Sequence, residues 1–126
     1  MDLGIAGKVA IVFGASRGLG RAVAESLAGE GCRIVAVARS LDALKQTIAG
    51  IEAAGGDALP MAADVTDKAS IKALIAQVRK DRGVPQILVY NNGGPADSSF
   101  NDATDDEFFD GFVSQVMGFV WAAREV

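Results

Sequence analysis

Val9-Ala10-Ile11-Val12-Phe13-Gly14-Ala15-Ser16-Arg17-Gly18-Leu19-Gly20 decides how the chain folds. Its first five residues are apolar and do not alternate, the pattern of a strand buried on both faces, as parallel strands are. Three glycines follow, spaced G-x-x-x-G-x-G. Leu19, Val23 and Leu27 then recur four residues apart, which predicts a helix closed by Gly29 and Gly31.

The same alternation repeats downstream. Residues 34–38 are a second apolar strand. Ser40 is placed to cap a helix with the stripe Leu41, Leu44, Ile48 and Ile51, ended by Gly55 and Gly56. Residues 58–62 form a weaker strand. Pro60 within it lacks a backbone donor, so this strand belongs at a sheet edge. Asp67 opens a helix with Ile71, Leu74, Ile75 and Val78 on one face, stopped by Gly83 and Pro85. Residues 87–90 are a fourth strand, and 91–102 a polar loop. Thr104 and Glu107 match a capping box, from which a helix runs toward Val126. Strands alternating with amphipathic helices predict an α/β fold, a doubly wound parallel sheet of the Rossmann type with helices on both faces.

Composition bounds the function. The chain has 126 residues, half of them apolar, with a mean hydropathy of +0.27. That fits a single domain over 1–126 with a real core, not a disordered segment. Twelve basic against sixteen acidic residues leave a net charge of -4, which argues against nucleic-acid partners and polybasic membrane binding. The single cysteine, Cys32, excludes an intrachain disulfide and a multi-cysteine zinc site. The absence of histidine removes Ser-His-Asp and Cys-His catalysis and His-ligated metals, so no metal is expected. No leader pattern occupies residues 1–8 and no apolar run is long enough to span a bilayer, so a soluble cytoplasmic chain is expected.

The chemistry is expected at the strand ends. Gly14, Ser16, Arg17, Gly18, Leu19 and Gly20 lie between the first strand and the first helix, where glycines let the backbone approach a phosphate and the helix N-terminus favours an anion. A plain tight turn is the alternative, and the strand-turn-helix context favours nucleotide binding. No Gly-Lys-Ser/Thr follows, so this is not a Walker loop. An acid at the end of the second strand would bind the ribose hydroxyls of NAD. That strand instead ends Ala38-Arg39-Ser40. Arg39, with Arg17 opposite, suits a 2′-phosphate unless both are merely solvated, so NADP is the expected cofactor. Asp64 and Val65 are read as an adenine contact. Asp67 is the better helix cap, which leaves Asp64 for a ligand. Asn91 and Gly93 sit in the Tyr90-Asn91-Asn92-Gly93-Gly94-Pro95 stretch beside the switch point of the sheet, either as a cofactor wall or as an ordinary turn.

With the opening stretch, Asp64-Val65-Thr66-Asp67 and the Asn-Asn-Gly-Gly run in hand, the chain resembles the short-chain dehydrogenase/reductase family, and is similar to 3-oxoacyl-acyl-carrier-protein reductases. The resemblance covers the whole chain but only the first half of the family's domain, through its fifth helix, so the domain is expected to be incomplete. It implies pyrophosphate at the glycine turn, NADP preference from Arg17 and Arg39, and adenine beside Asp64. The family's Asn-Asn-Ala-Gly aligns onto Tyr90-Asn91-Asn92-Gly93. Tyr90 then stands where the first Asn belongs and Asn92 where Ala belongs; shifting by one residue restores both Asn but inserts a residue into the strand. Asn91 matches in either register. The resemblance also implies a catalytic tetrad of Asn, Ser, Tyr and Lys. Gln115, three residues before Gly118, stands at the Asn position, while the Ser, Tyr and Lys of the tetrad are absent from these 126 residues.

Two functions remain open at this point. One is an NADP-dependent oxidoreductase that moves a hydride between nicotinamide and a carbonyl or alcohol, with a small-molecule substrate in a full-length form. The other is a non-catalytic NADP-binding or interaction module. A strand edge at 86–90 without Lys or Pro, and a last helix carrying Phe108, Phe109, Phe112, Val113, Val116, Met117, Phe119, Val120 and Trp121, lead to the expectation of a homo-oligomer.

Overall fold

A computed structural model describes residues 1–126. The elements run β1 (Val9–Phe13), α1 (Gly18–Gly29), β2 (Arg33–Ala38), a 3-10 turn (Asp42–Leu44), α2 (Lys45–Ala53), β3 (Asp57–Ala62), α3 (Lys68–Asp81), β4 (Pro85–Val89), α4 (Asp105–Phe112), a π turn (Val113–Met117) and α5 (Gly118–Glu125). The four strands make one parallel sheet in the order β3-β2-β1-β4. The chain winds outward from β1 to β3, then returns to place β4 on the other side of β1. The reversal opens a crevice above the carboxyl ends of β1 and β4.

The pleat sends successive residues to opposite faces. Val9, Ile11 and Phe13 of β1 join Val35 and Val37 of β2 against Ile71, Leu74, Ile75 and Val78 of α3 and Ala122 of α5. Ala10, Val12, Ile34 and Ala36 face the other way, against Ala24 and Ala28 of α1 and Leu44 and Ile51 beneath α2. The first face is filled mainly by large side chains, while the second mixes alanines with Val12, Ile34, Leu44 and Ile51.

The stripe expected for α1 holds in part: Val23 and Leu27 are partly buried against this second core, and only Leu19 departs from it. The fully buried face of the helix is Gly20, Ala24 and Ala28, while Leu19 is 73% exposed. Leu19 stands in the first turn of α1, beside the crevice at the carboxyl ends of the strands rather than over the core. Ser40 is corrected too. The segment begins with the 3-10 turn, α2 has no side-chain cap, and Leu41 points to solvent while Leu44, Thr47 and Ile51 are buried. Asp67 does cap α3, its carboxylate accepting from the amide of Ala69 at 3.0 Å. Thr104 and Glu107 form the expected capping box on α4. β3 lies at the sheet edge, as Pro60 requires. β4 starts at Pro85, two residues earlier than the pattern suggests, and stops at Val89, leaving Tyr90 just beyond it. Its pairing with β1 slips by one residue between Pro85 and Ile87, so Gln86 is an extra residue upstream of the Asn-rich motif. No helix is long and apolar enough to cross a membrane.

Candidate functional site

A cleft of about 670 Å³ lies above the carboxyl ends of the strands. Its floor is the glycine turn. Gly14 has φ of +65°, and a Cβ there would stand 2.6 Å from the Asn91 carbonyl oxygen and 2.7 Å from its side-chain Nδ2. Only glycine lets β1 leave the sheet this close to the strand beside it. At Gly20 a Cβ would overlap the carbonyl oxygen of Gly14, so this glycine seats α1 on the turn. Gly20 therefore does not line the cleft, unlike Gly14, Ser16, Arg17, Gly18 and Leu19. Arg17 is the N-cap residue of α1 and supplies no side-chain cap, which leaves the helix's first-turn amides unmatched by a side chain.

The second wall is the end of β2. Ala38 and Arg39 line the cleft, and Ser40 does not. No carboxylate stands at the strand end, and Arg39 and Arg17 line the same cleft. The third wall follows β3. Asp64 and Val65 both contribute to it, with Thr66 beside them. Asp64 Oδ1 accepts from the Thr66 hydroxyl at 2.6 Å and the Thr66 amide at 2.9 Å. These bonds, the hydroxyl's first, hold the Asp64 carboxyl below its ordinary range, so it presents an anion at neutral pH.

The fourth wall follows β4. Asn91 and Gly93 line the cleft with Asn92 and Gly94, and Ser114 closes the far end. Here the last helix loses its α-helical register. The amide of Gly118 donates to the Val113 carbonyl, five residues back, which frees the Ser114 carbonyl it would otherwise have used. Two side chains from beyond β4 satisfy that carbonyl: the Tyr90 hydroxyl donates to it, and so does Asn92 Nδ2 at 2.8 Å. Tyr90 packs its ring against Phe13 and Phe119, at centroid distances of 5.4 and 5.9 Å, and burial pushes its hydroxyl pKa up. A Cβ on Gly118 would overlap that hydroxyl and come within 2.8 Å of the Val65 carbonyl. Asn92 Oδ1 in turn accepts from the Gly94 amide at 3.0 Å and from Gln115 Nε2 at 2.6 Å. Gln115 thus reaches the rim of the cleft through Asn92 and does not line it.

Eight lining residues are not singled out by the sequence. Phe13, Val37, Ala38 and Ala63 are strand-end residues that contribute mainly through position, while Thr66, Asn92 and Gly94 lie inside the two strand-end motifs beside Asp64 and Asn91. Ser114 carries no motif; its one sequence signal is adjacency to Gln115. The assembled site has a glycine-rich anion cradle, two arginines, one anionic carboxylate and amide side chains at the far end. That arrangement suits an extended ligand carrying phosphates.

Comparison with known proteins agrees with this geometry. A family model described as short chain dehydrogenase matches residues 8–126. The chain is 39% identical over 104 residues to 3-oxoacyl-[acyl-carrier-protein] reductase FabG of Escherichia coli, covering 82% of this chain and 41% of that protein. The structure of L-sorbose reductase from Gluconobacter frateurii, complexed with NADPH and L-sorbose, superposes with a TM-score of 0.93 at 36% identity over 100% of this chain and 48% of that one. A metagenomic short-chain oxidoreductase in complex with NADP superposes with a TM-score of 0.89 at 31% identity, over 96% of this chain and 55% of that one. The chain spans half or less of the length of the curated relatives it matches.

Proposed function

The chain belongs to the short chain dehydrogenase family, and from that premise we propose that it is the NADP-binding half of an oxidoreductase that transfers a hydride between nicotinamide and a carbonyl or alcohol. The observation that carries the cofactor choice is the pair Arg17 and Arg39 in one cleft, with Ala38 where an acid would select NAD. In this reading the glycine turn holds the pyrophosphate, Asp64 and Val65 meet the adenine, and Asn91 and Gly93 flank the nicotinamide end. Gln115 takes the place of the family's catalytic Asn and is oriented by Asn92. Proton transfer is left to residues outside these 126, because the sole tyrosine, Tyr90, spends its hydroxyl on the Ser114 carbonyl and has Gly94, not lysine, four residues on.

Calorimetric titration of Arg39→Ala tests the cofactor choice. NADPH affinity is expected to fall about tenfold or more, the scale of one charge-assisted pair, while NADH affinity changes little. Equal losses for both cofactors would sink the 2′-phosphate assignment.

The reading includes self-association. Phe108, Phe109, Phe112, Val116 and Phe119 are all 43% exposed or more, on one continuous helical segment. Apolar area on that scale is expected to be covered by a second copy. Light scattering at micromolar concentration should give a dimer or larger, and Phe112→Asp should return it toward 13.0 kDa. A clean monomer in the unsubstituted protein refutes this part.

A further inference from the structure

Thr47 is the one polar residue in the buried set, and it is fully buried. It sits on α2, away from the cleft lining. A helical threonine commonly returns its hydroxyl to a carbonyl of its own helix. Thr47 instead donates across the fold to the Ala15 carbonyl at 2.8 Å, with the Ser16 carbonyl at 3.4 Å. The other side of Ala15 is fixed as well, its amide donating to the Val37 carbonyl at 3.1 Å. Ala15 is therefore clamped between β2 and α2.

Peptide geometry turns this clamp into an orientation. In a trans peptide the C=O and the following N–H point in opposite directions, and the chain has no cis bonds. Drawing the Ala15 carbonyl toward α2 turns the Ser16 amide away from α2. The Ser16 carbonyl, facing the same hydroxyl, does the same for the Arg17 amide. Both residues line the cleft, and neither amide donates to a group within the protein.

Building on the dinucleotide reading above, we propose that Thr47 is a positioning residue that aims the amides of Ser16 and Arg17 at the pyrophosphate, without touching the ligand itself. Donors held in place before the ligand arrives lose little freedom on binding, so the affinity for the phosphate bridge depends on a hydroxyl one layer behind it.

The test compares Thr47→Val, which keeps the shape and removes the donor, with Thr47→Ser, which keeps the donor. Three probes are titrated: NADPH, NADH and adenosine 2′-monophosphate, which has no pyrophosphate. Thr47→Val is expected to weaken both dinucleotides together by about tenfold, as for a lost buried hydrogen bond, and to weaken adenosine 2′-monophosphate much less, since Arg39 and the long side chain of Arg17 still reach its phosphate. Thr47→Ser is expected to retain dinucleotide affinity. Undiminished dinucleotide binding by Thr47→Val overturns the inference alone. So does an equal loss for adenosine 2′-monophosphate, or a loss in Thr47→Ser matching that in Thr47→Val, since either assigns the effect to packing. Failure of the unsubstituted protein to bind either dinucleotide overturns the cofactor reading and this inference together.

Discussion

Gly20→Ala is expected to abolish dinucleotide binding and to destabilise the fold by about 3 kcal/mol or more. The added methyl would fall on the carbonyl oxygen of Gly14, with Asn91 Nδ2 at 2.9 Å on another side. The main obstacle is backbone, so no rotamer change relieves it. Either α1 lifts off the sheet, exposing Ala24 and Ala28, or the turn between Gly14 and Gly18 is pushed into the cleft. Both outcomes misplace the amides proposed to meet the phosphates. Gly29→Ala is the internal control. A Cβ there meets nothing within 4 Å, so helix propensity alone should make it neutral or stabilising by up to about 1 kcal/mol. Urea denaturation and NADPH titration of the two variants decide the matter. A Gly20→Ala protein with the unsubstituted midpoint and affinity would show that α1 is not seated through Gly20.

Gly118→Ala should be nearly as damaging, at about 2 to 4 kcal/mol, and its cost should depend on Tyr90. The new Cβ would collide with the Tyr90 hydroxyl, while the Val65 carbonyl blocks a second direction at 2.8 Å. Tyr90→Phe alone removes one of two donors to the Ser114 carbonyl. Asn92 still supplies the other, so the loss should be about 1 kcal/mol. In the double variant the hydroxyl is gone and part of the collision with it, so the combined cost should fall below the sum of the single costs. A double-mutant cycle measures that coupling. Strict additivity would mean that the glycine and the tyrosine do not share the space assigned to them.

The fold was legible because its punctuation is local. Asp67, Thr104, Pro60 and the glycines between β1 and α1 each impose a boundary through their own backbone or side-chain chemistry, and each acts where the chain places it. Leu19 misled for the opposite reason. Its spacing with Val23 and Leu27 is helical, and those two do pack against the core, yet position 19 falls in the first turn beside the cleft, which periodicity alone does not reveal. Ser40 misled in the same way: a competent cap residue is followed by a 3-10 turn that makes no use of it. At the site, Gly14, Arg39, Asp64 and Asn91 lie in motifs at strand ends, where position along the chain already implies position in space. Ser114, Asn92 and Thr47 act through contacts spanning from 22 to 32 residues, which no local pattern encodes.

The placement of Pro60 bears on how the sheet can grow. With β3 at one end and β4 at the other, the sheet has two rims, and they are not equivalent. Along β3 a missing donor interrupts the outer row of hydrogen-bonding groups, so an arriving strand finds an incomplete partner. Along β4 the row beyond Pro85 is intact and continues through apolar Ile87, Leu88 and Val89. Growth of the sheet is therefore one-sided: a further strand, from the same polypeptide or another, finds a complete row at β4 and an incomplete one at β3. The proline that marks the margin of the sheet thereby acts as a stop on that side and works against head-to-tail stacking of sheets, which would need a sound β3 rim on every copy.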